Sequence, residues 1–247
     1  MKINLPIDLV TVNCVNPKFG LDVLEYCNSL FNFSSTILIS NETFRSDVVK
    51  SIKIEKLTSI NSYNDFILKV GNFTSSDHVL IVQDDGFIIN KNLWNEEFLS
   101  YDYIGAPWPL DEKWFKEASK STDYNLFSTS IRKNRIGNGG FSLRSKNFLE
   151  YSNKFESCKG WGEDFFLCAL NYDLAIKDKI KFPNIKLALS FSYENGLKGI
   201  KKEKWKTKNF AKLNKNKHFG WHGKQLKNYK KFQSLALKNN DFRDSKI

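Results

Sequence analysis

The sequence predicts an α/β fold: a single domain with a central, mainly parallel sheet flanked by helices. Three observations predict it. Short β-branched or apolar runs alternate with segments of helical spacing over residues 8–83. The clearest run, His78 to Gln83, ends in Asp84-Asp85-Gly86, and open α/β sheets bind their ligands at such strand ends. Finally, 247 residues with 41% hydrophobic content supply one large core, which excludes disorder as the overall state.

Each element follows from a local pattern. Asp8 to Asn13 is a short β-branched run and reads as the first strand. Pro17 and Gly20 punctuate a turn, and Leu21, Leu24, Cys27 and Leu30 give Leu21–Leu30 helical spacing. Ser35–Ser40 reads as the second strand and Lys50–Leu57 as a third. Tyr63–Val70 reads as a helix capped by Asn61 or Ser62. His78–Gln83 follows. Strand, helix, strand at this pitch implies parallel pairing through crossovers. The second half is richer in glycine and aromatics. Tyr101–Trp108 and Gly137–Arg144 have strand flanks, and Lys146–Phe155 is a helix. Gly162–Leu170 begins a helix with two carboxylates in its first turn, where the helix dipole favours them. Ile185–Tyr193 alternates and reads as a strand. Residues 198–230 are polar, basic and loop-like.

Composition narrows the function. No apolar run approaches the roughly 18 residues of a membrane span. Asp8, Asn13 and Asn16 interrupt the first 20 residues, which excludes a secretory signal there. Cys14, Cys27, Cys158 and Cys168 form no CxxC pair, which favours reduced thiols in a cytoplasm. The sequons at Asn32, Asn41 and Asn72 are read as chance matches. The net charge of +11 is unevenly placed: residues 196–247 hold 16 Lys and Arg against 3 Asp and Glu, and residues 1–195 hold 22 against 24. A basic tail on a near-neutral body points to an anionic partner or, equally, to a solvated Lys-rich surface.

Four segments carry possible chemistry. Adjacent carboxylates at Asp84 and Asp85 suit a divalent ion shared with phosphates, although Asp-Asp-Gly is also an ordinary turn. Gly137-Asn138-Gly139-Gly140 permits close backbone approach to a ligand, or forms a tight hairpin. It matches neither the P-loop nor the dinucleotide fingerprint. Trp161-Gly162-Glu163-Asp164 places a possible general base behind an aromatic, or a plain helix-start charge pair. His218 and His222 lie in an aromatic, glycine-containing stretch near Lys224 and Lys227, suited to a metal–diphosphate site. His78 opens a strand and is given no role.

In order, VQDDGF, YDYIGAPWP, RIGNGGFSLRS, GWGEDFF and HFGWHG resemble glycosyltransferases of the GT-A (Rossmann-like) fold. They are most similar to bacterial and viral glycosyltransferase-like proteins sharing this series, and distantly to β-1,4-galactosyltransferases. The resemblance implies a GT-A domain over 1–230, with a nucleotide-binding half near 1–110 and an acceptor half near 111–230. A basic tail fills 231–247. It implies Mn²⁺ or Mg²⁺ at Asp85 and His222. The first acid of the family's metal motif is replaced by Gln83, which leaves the number of metal ligands open. Thr11, Asn13, Gln83, Asp84, Asp85 and Lys224 are placed at the nucleotide-sugar. Trp108, Asn138, Gly139, Gly140 and Trp161 are placed at the acceptor and donor sugar. Asp164 is the implied catalytic base and Glu163 an acceptor contact. The implied reaction moves a hexose from a nucleotide-diphosphate sugar, UDP-hexose first, to a glycan or lipid-linked acceptor, with inversion. The outlying lysines suit peripheral contact with an anionic membrane on the cytoplasmic face. Two alternatives stand beside this reading: a nucleic-acid-binding module built on the basic, aromatic C-terminal region, and an inactive glycan-binding relative. No specific nucleic acid is expected as partner of the enzyme.

Overall fold

The computed structural model describes residues 2–119, 123–194 and 217–223. Its first half is β1 (Ile3–Val12), α1 (Pro17–Leu30), β2 (Phe31–Ser40), β3 (Lys50–Lys53), α2 (Ile60–Ile67) and β4 (His78–Ile81). Asn16 caps α1 by accepting from the Phe19 amide, and Pro17 follows at the first helical position, where its missing N–H costs nothing. The α2 cap is Ser59, not Asn61 or Ser62. Ser59 and Ser62 each accept from the other's backbone amide, and this reciprocal box fixes the start three residues earlier than expected. The first strand also begins earlier, because Ile3–Leu5 pair with Phe31–Phe33.

The second half holds β5 (Gly86–Ile88), β6 (Tyr103–Gly105), α3 (Glu112–Ala118), α4 (Tyr124–Lys133), β7 (Ser142–Ser145) and α5 (Lys146–Asn153). Then come α6 (Glu163–Phe165), α7 (Tyr172–Lys177), α8 (Ile185–Phe191), β8 (Ser192–Tyr193) and β9 (Gly220–His222). Two expectations are corrected. The helix expected over Gly162–Leu170 is regular only at α6, and Phe166–Leu170 widens into a π-helical turn. The strand expected over Ile185–Tyr193 is α8 for seven of its residues. Asn184 caps it by accepting from the Leu187 amide at 3.0 Å. Leu187, Ala188, Leu189 and Phe191 are all buried, so the apolar pattern fits both periods and only the cap distinguishes them.

The main sheet has the order β3-β2-β1-β4-β7-β6. β3, β2, β1, β4 and the edge strand β6 run the same way, and β7 alone runs opposite to them. Alternate residues feed opposite faces. Leu9, Leu38, Leu80 and Leu143 enter the larger core, while Val10, Ile37, Ile39, Val79 and Ile81 pack on the other face with Ile67 and Leu149. Asp8, fully buried, accepts from the Ser35 and Ser76 hydroxyls and from the Ser75 and Ser76 amides. Burial opposes its charge, but these bonds hold its pKa below the ordinary carboxylate value. A small second sheet has the order β5-β9-β8. All four cysteines are free and buried. No helix among the described residues is long and apolar enough to cross a membrane.

Candidate active site

Strand order reverses between β1 and β4, since β2 and β3 lie to one side of β1 and β4 to the other. Parallel sheets open a crevice at such a switch point. Here it is a cleft of about 430 Å³ between Asn13 after β1, Gln83, Asp84 and Asp85 after β4, and Ser59 and Tyr63 of α2. The Asn13 carboxamide shapes the rim by accepting from the amides of Val15 (3.0 Å) and Asn16 (2.8 Å). Thr11 does not face the cleft. It is buried and its hydroxyl donates to the Val82 carbonyl, so it ties β1 to the end of β4. This corrects its expected nucleotide contact.

The small sheet brings distant residues to this cleft. Gly86 pairs with His222 across β5 and β9, and the Gly223 amide donates to the Asp85 carbonyl at 2.8 Å. Tyr193 pairs with Trp221 in the parallel β8–β9 pair, so Glu194 arrives level with His222. His222 Nε2 lies 3.4 Å from Asp85 Oδ1 and 3.2 Å from Gln83 Oε1, and its Nδ1 lies 3.6 Å from Glu194 Oε1. The Gln83 amide donates to Tyr63 Oη at 2.6 Å, so Gln83 links the cleft wall to His222. Burial opposes a charge on His222, but Asp85 and Glu194 outweigh it and lift the imidazole pKa to about 10. The two carboxylates thus favour the charged form of the imidazole between them. Among the described residues, no three His, Cys, Asp or Glu side chains gather as a ready metal cage. One carboxylate and one imidazole do suit a divalent ion that shares its shell with a diphosphate.

The glycine run separates this cluster from the carboxylates of α6. A Cβ on Gly140 would sit 2.0 Å from His222 Nε2, and one on Gly139 would sit 2.4 Å from Glu163 Oε1. The glycines are therefore needed for close packing of two site residues on one peptide. The Gly139 amide donates to Asp164 Oδ2 at 3.0 Å, and the Phe165 amide to Oδ1 at 2.7 Å. Burial and the neighbouring Glu163 raise the Asp164 pKa to about 7, against these two stabilising bonds. Glu163 faces inward. Arg144 from β7, fully buried, donates to its Oε1 at 2.9 Å and its Oε2 at 3.3 Å, a forked pair. Both Glu163 oxygens are so engaged, which differs from the expected acceptor contact.

Asp164 opens on a second pocket of about 270 Å³, lined by Trp108, Trp114, Trp161, Phe127 and Phe165. Trp108 and Trp161 thus share a pocket with Asp164. Asn138 is buried behind them, its amide donating to the Ala106 carbonyl. His218 is fully buried against the Leu189 carbonyl (2.6 Å) and the Tyr193 ring, away from the Asp85 cluster. Lys224, Lys227 and the tail 231–247 lie outside the described residues.

Sequence reasoning missed Tyr63, Trp114, Arg144 and Glu194. Arg144 sits inside the glycine-rich motif, where Phe141 and Leu143 before it signal a buried strand. Glu194 carries no local signal, because only the register of β8 on β9 places it.

Comparison with solved structures puts this geometry in context. The galactosyltransferase LgtC in complex with donor and acceptor sugar analogues is 11% identical, with 93% of this chain and 95% of that chain covered and a TM-score of 0.49. An active-site mutant of LgtC is 12% identical over the same shares, with a TM-score of 0.50. The mannosyltransferase PcManGT from Pyrobaculum calidifontis, in complex with GDP-Man and Mn2+, is 8% identical, with 73% of this chain and 55% of that chain covered and a TM-score of 0.43. At these identities the likeness is one of fold, and the fold is the GT-A α/β architecture expected from the sequence. No curated protein matches the sequence. A family model described as "Protein of unknown function (DUF5672)" matches residues 47–219, which span the cleft carboxylates, the glycine run and Asp164, and the chain accordingly belongs to the DUF5672 family.

Proposed function

We propose that the chain is a glycosyltransferase that moves a hexose from a nucleotide-diphosphate sugar, UDP-hexose first, to a hydroxyl of a glycan or lipid-linked acceptor. One observation carries this reading. A carboxylate poised near neutrality faces a sugar-sized aromatic pocket, and one peptide away an acid–imidazole pair closes a cleft at the switch point. Residues 1–110 supply most of the nucleotide cleft and 111–230 most of the acceptor pocket.

Each residue has a defined task. Asn13, Gln83 and Asp84 line the cleft for the nucleotide, and Lys224, outside the described residues, is assigned to the diphosphate as part of the proposal. Asp85 and His222 are suited to hold Mn²⁺ or Mg²⁺, which supplies charge neutralisation to the diphosphate when bound. Asp164, deprotonated, takes the proton of the acceptor hydroxyl as that oxygen bonds to the anomeric carbon. The bond from that carbon to the diphosphate breaks, and the nucleoside diphosphate leaves with the electron pair. In-line attack inverts the anomeric centre. The Gly139 amide and the Arg144–Glu163 pair fix Asp164 in place. Of the outlying lysines, only Lys217 lies among the described residues, and their peripheral contact with an anionic membrane in the cytoplasm is part of the proposal.

Thermal stability with a panel of nucleotide-sugars tests the donor half. Donor at 100 times its dissociation constant adds about 2.7 kcal/mol. The expected result is stabilisation that needs Mn²⁺, is lost with EDTA, and is lost in Asp85→Asn while the ligand-free fold is kept. Equal donor stabilisation without metal and in Asp85→Asn contradicts the reading.

A further inference from the structure

The pocket over Asp164 carries a statement about the acceptor, which rests on the transferase reading. Three tryptophans from three separate segments converge there: Trp108 after β6, Trp114 on α3 and Trp161 before α6. Phe127 stacks on Phe165 at 4.7 Å, Trp161 tilts onto the same ring at 4.9 Å, and Trp114 backs Phe127 at 5.7 Å. These rings form a continuous apolar wall. Only Asp164 is charged among the described lining residues, and no described lining residue is a cation. An anionic group brought beside Asp164 would meet like charge in a partly buried site with no cation among the described lining residues to compensate it. At about 270 Å³ the pocket lies just below the usual range of small-ligand sites, about 300–1,000 Å³, which suits one sugar ring. Broad aromatic faces suit the C–H-rich face of such a ring and leave its hydroxyl edge to the carboxylate.

We propose that this pocket takes a single uncharged hexopyranose ring of the acceptor, seated on Trp114 and Trp161 with one hydroxyl toward Asp164, and that it excludes uronic acids and sugar phosphates at that position. Trp114 is then an acceptor-binding residue. The 111–119 segment, which includes α3, becomes part of the specificity site.

Tryptophan fluorescence and saturation-transfer NMR on the full chain, with and without UDP and Mn²⁺, test this. The probes are methyl glucoside, methyl galactoside, glucuronic acid and glucose 6-phosphate. At least one neutral methyl hexoside is expected to bind, and the two anionic sugars at least tenfold more weakly. Trp114→Ala and Trp161→Ala should each weaken the neutral sugar at least tenfold while leaving UDP affinity unchanged. Trp114→Phe, which keeps an aromatic face, should restore part of the binding and guards against a folding artefact. Anionic sugars bound as tightly as neutral ones overturn the proposal, as does a neutral affinity indifferent to Trp114. Absence of all sugar binding beside intact metal-dependent donor binding overturns it and leaves the transferase reading standing. Loss of donor binding beside intact sugar binding does the reverse.

Discussion

At the scale of single residues, the proposed transfer turns on Asp164. Its carboxyl ionises near pH 7 in the fold against 3.8 in an ordinary environment. A base works only when deprotonated, so transfer is expected to rise with pH and level off above about 7. Asp164→Asn should lose that limb and about 10²–10⁴ in turnover. The same shift affects stability. The unfolded chain gives up this proton near pH 4 and the folded chain near pH 7, so folding is disfavoured progressively over that interval. Melts of Asp164→Asn should therefore show a gain on the order of 2–4 kcal/mol at pH 8 and none below pH 4. Equal effects at both pH values would mean that Asp164 is not perturbed. Glu163 makes a separate prediction. Glu163→Ala leaves Arg144 buried without its carboxylate, at a cost of about 3–5 kcal/mol. It should also move the Asp164 limb to lower pH, since a neighbouring negative charge is gone. A pure acceptor contact would instead raise KM and leave both the melt and the limb unchanged.

At the scale of elements, the glycine run and β9 act together. Gly140→Ala sets a methyl group against the His222 ring, so the ring must leave its place beside Asp85. Circular dichroism is expected to show the main sheet kept, while Mn²⁺-dependent donor binding falls at least tenfold. Retained donor binding would disprove the packing role of Gly140. Trp221, almost fully buried against Phe87, should cost about 3–5 kcal/mol as Trp221→Ala and carry His222 with it. The body of α1 was legible from Leu21, Leu24 and Cys27, and α5 from Lys146 onward, but Pro17 and Gly20, read as a turn, lie in the first turn of α1 behind its Asn16 cap. Ile185–Tyr193 was not, because its alternating leucines also satisfy a buried helix, and the deciding bond is made by Asn184 one residue earlier. The π-helical turn at Phe166–Leu170 lies within an unbroken apolar pattern and has no sequence mark.

At the scale of the whole molecule, strand order converts a linear pattern into a site. The parallel sheet, the carboxylates after β4 and the position of Asp164 at a helix start were legible, because each sits at a strand or helix end that sequence marks. Glu194 and Tyr63 were not, because only the β8–β9 register and the lie of α2 bring them to His222 and Gln83. Thr11 misled for the opposite reason: it lies on β1 two residues before the rim residue Asn13, where the Val82 carbonyl accepts from its hydroxyl. The central claim is that this fold joins a metal-dependent donor cleft to a single base. The most direct test is the pH dependence of sugar transfer from a nucleotide-sugar to a neutral methyl hexoside, with Mn²⁺, for the native chain and Asp164→Asn. The account predicts turnover rising through about pH 7 in the native chain, with that limb missing and donor affinity unchanged in the variant. Identical pH profiles for the two proteins, or no turnover of any nucleotide-sugar by the native chain, would contradict it.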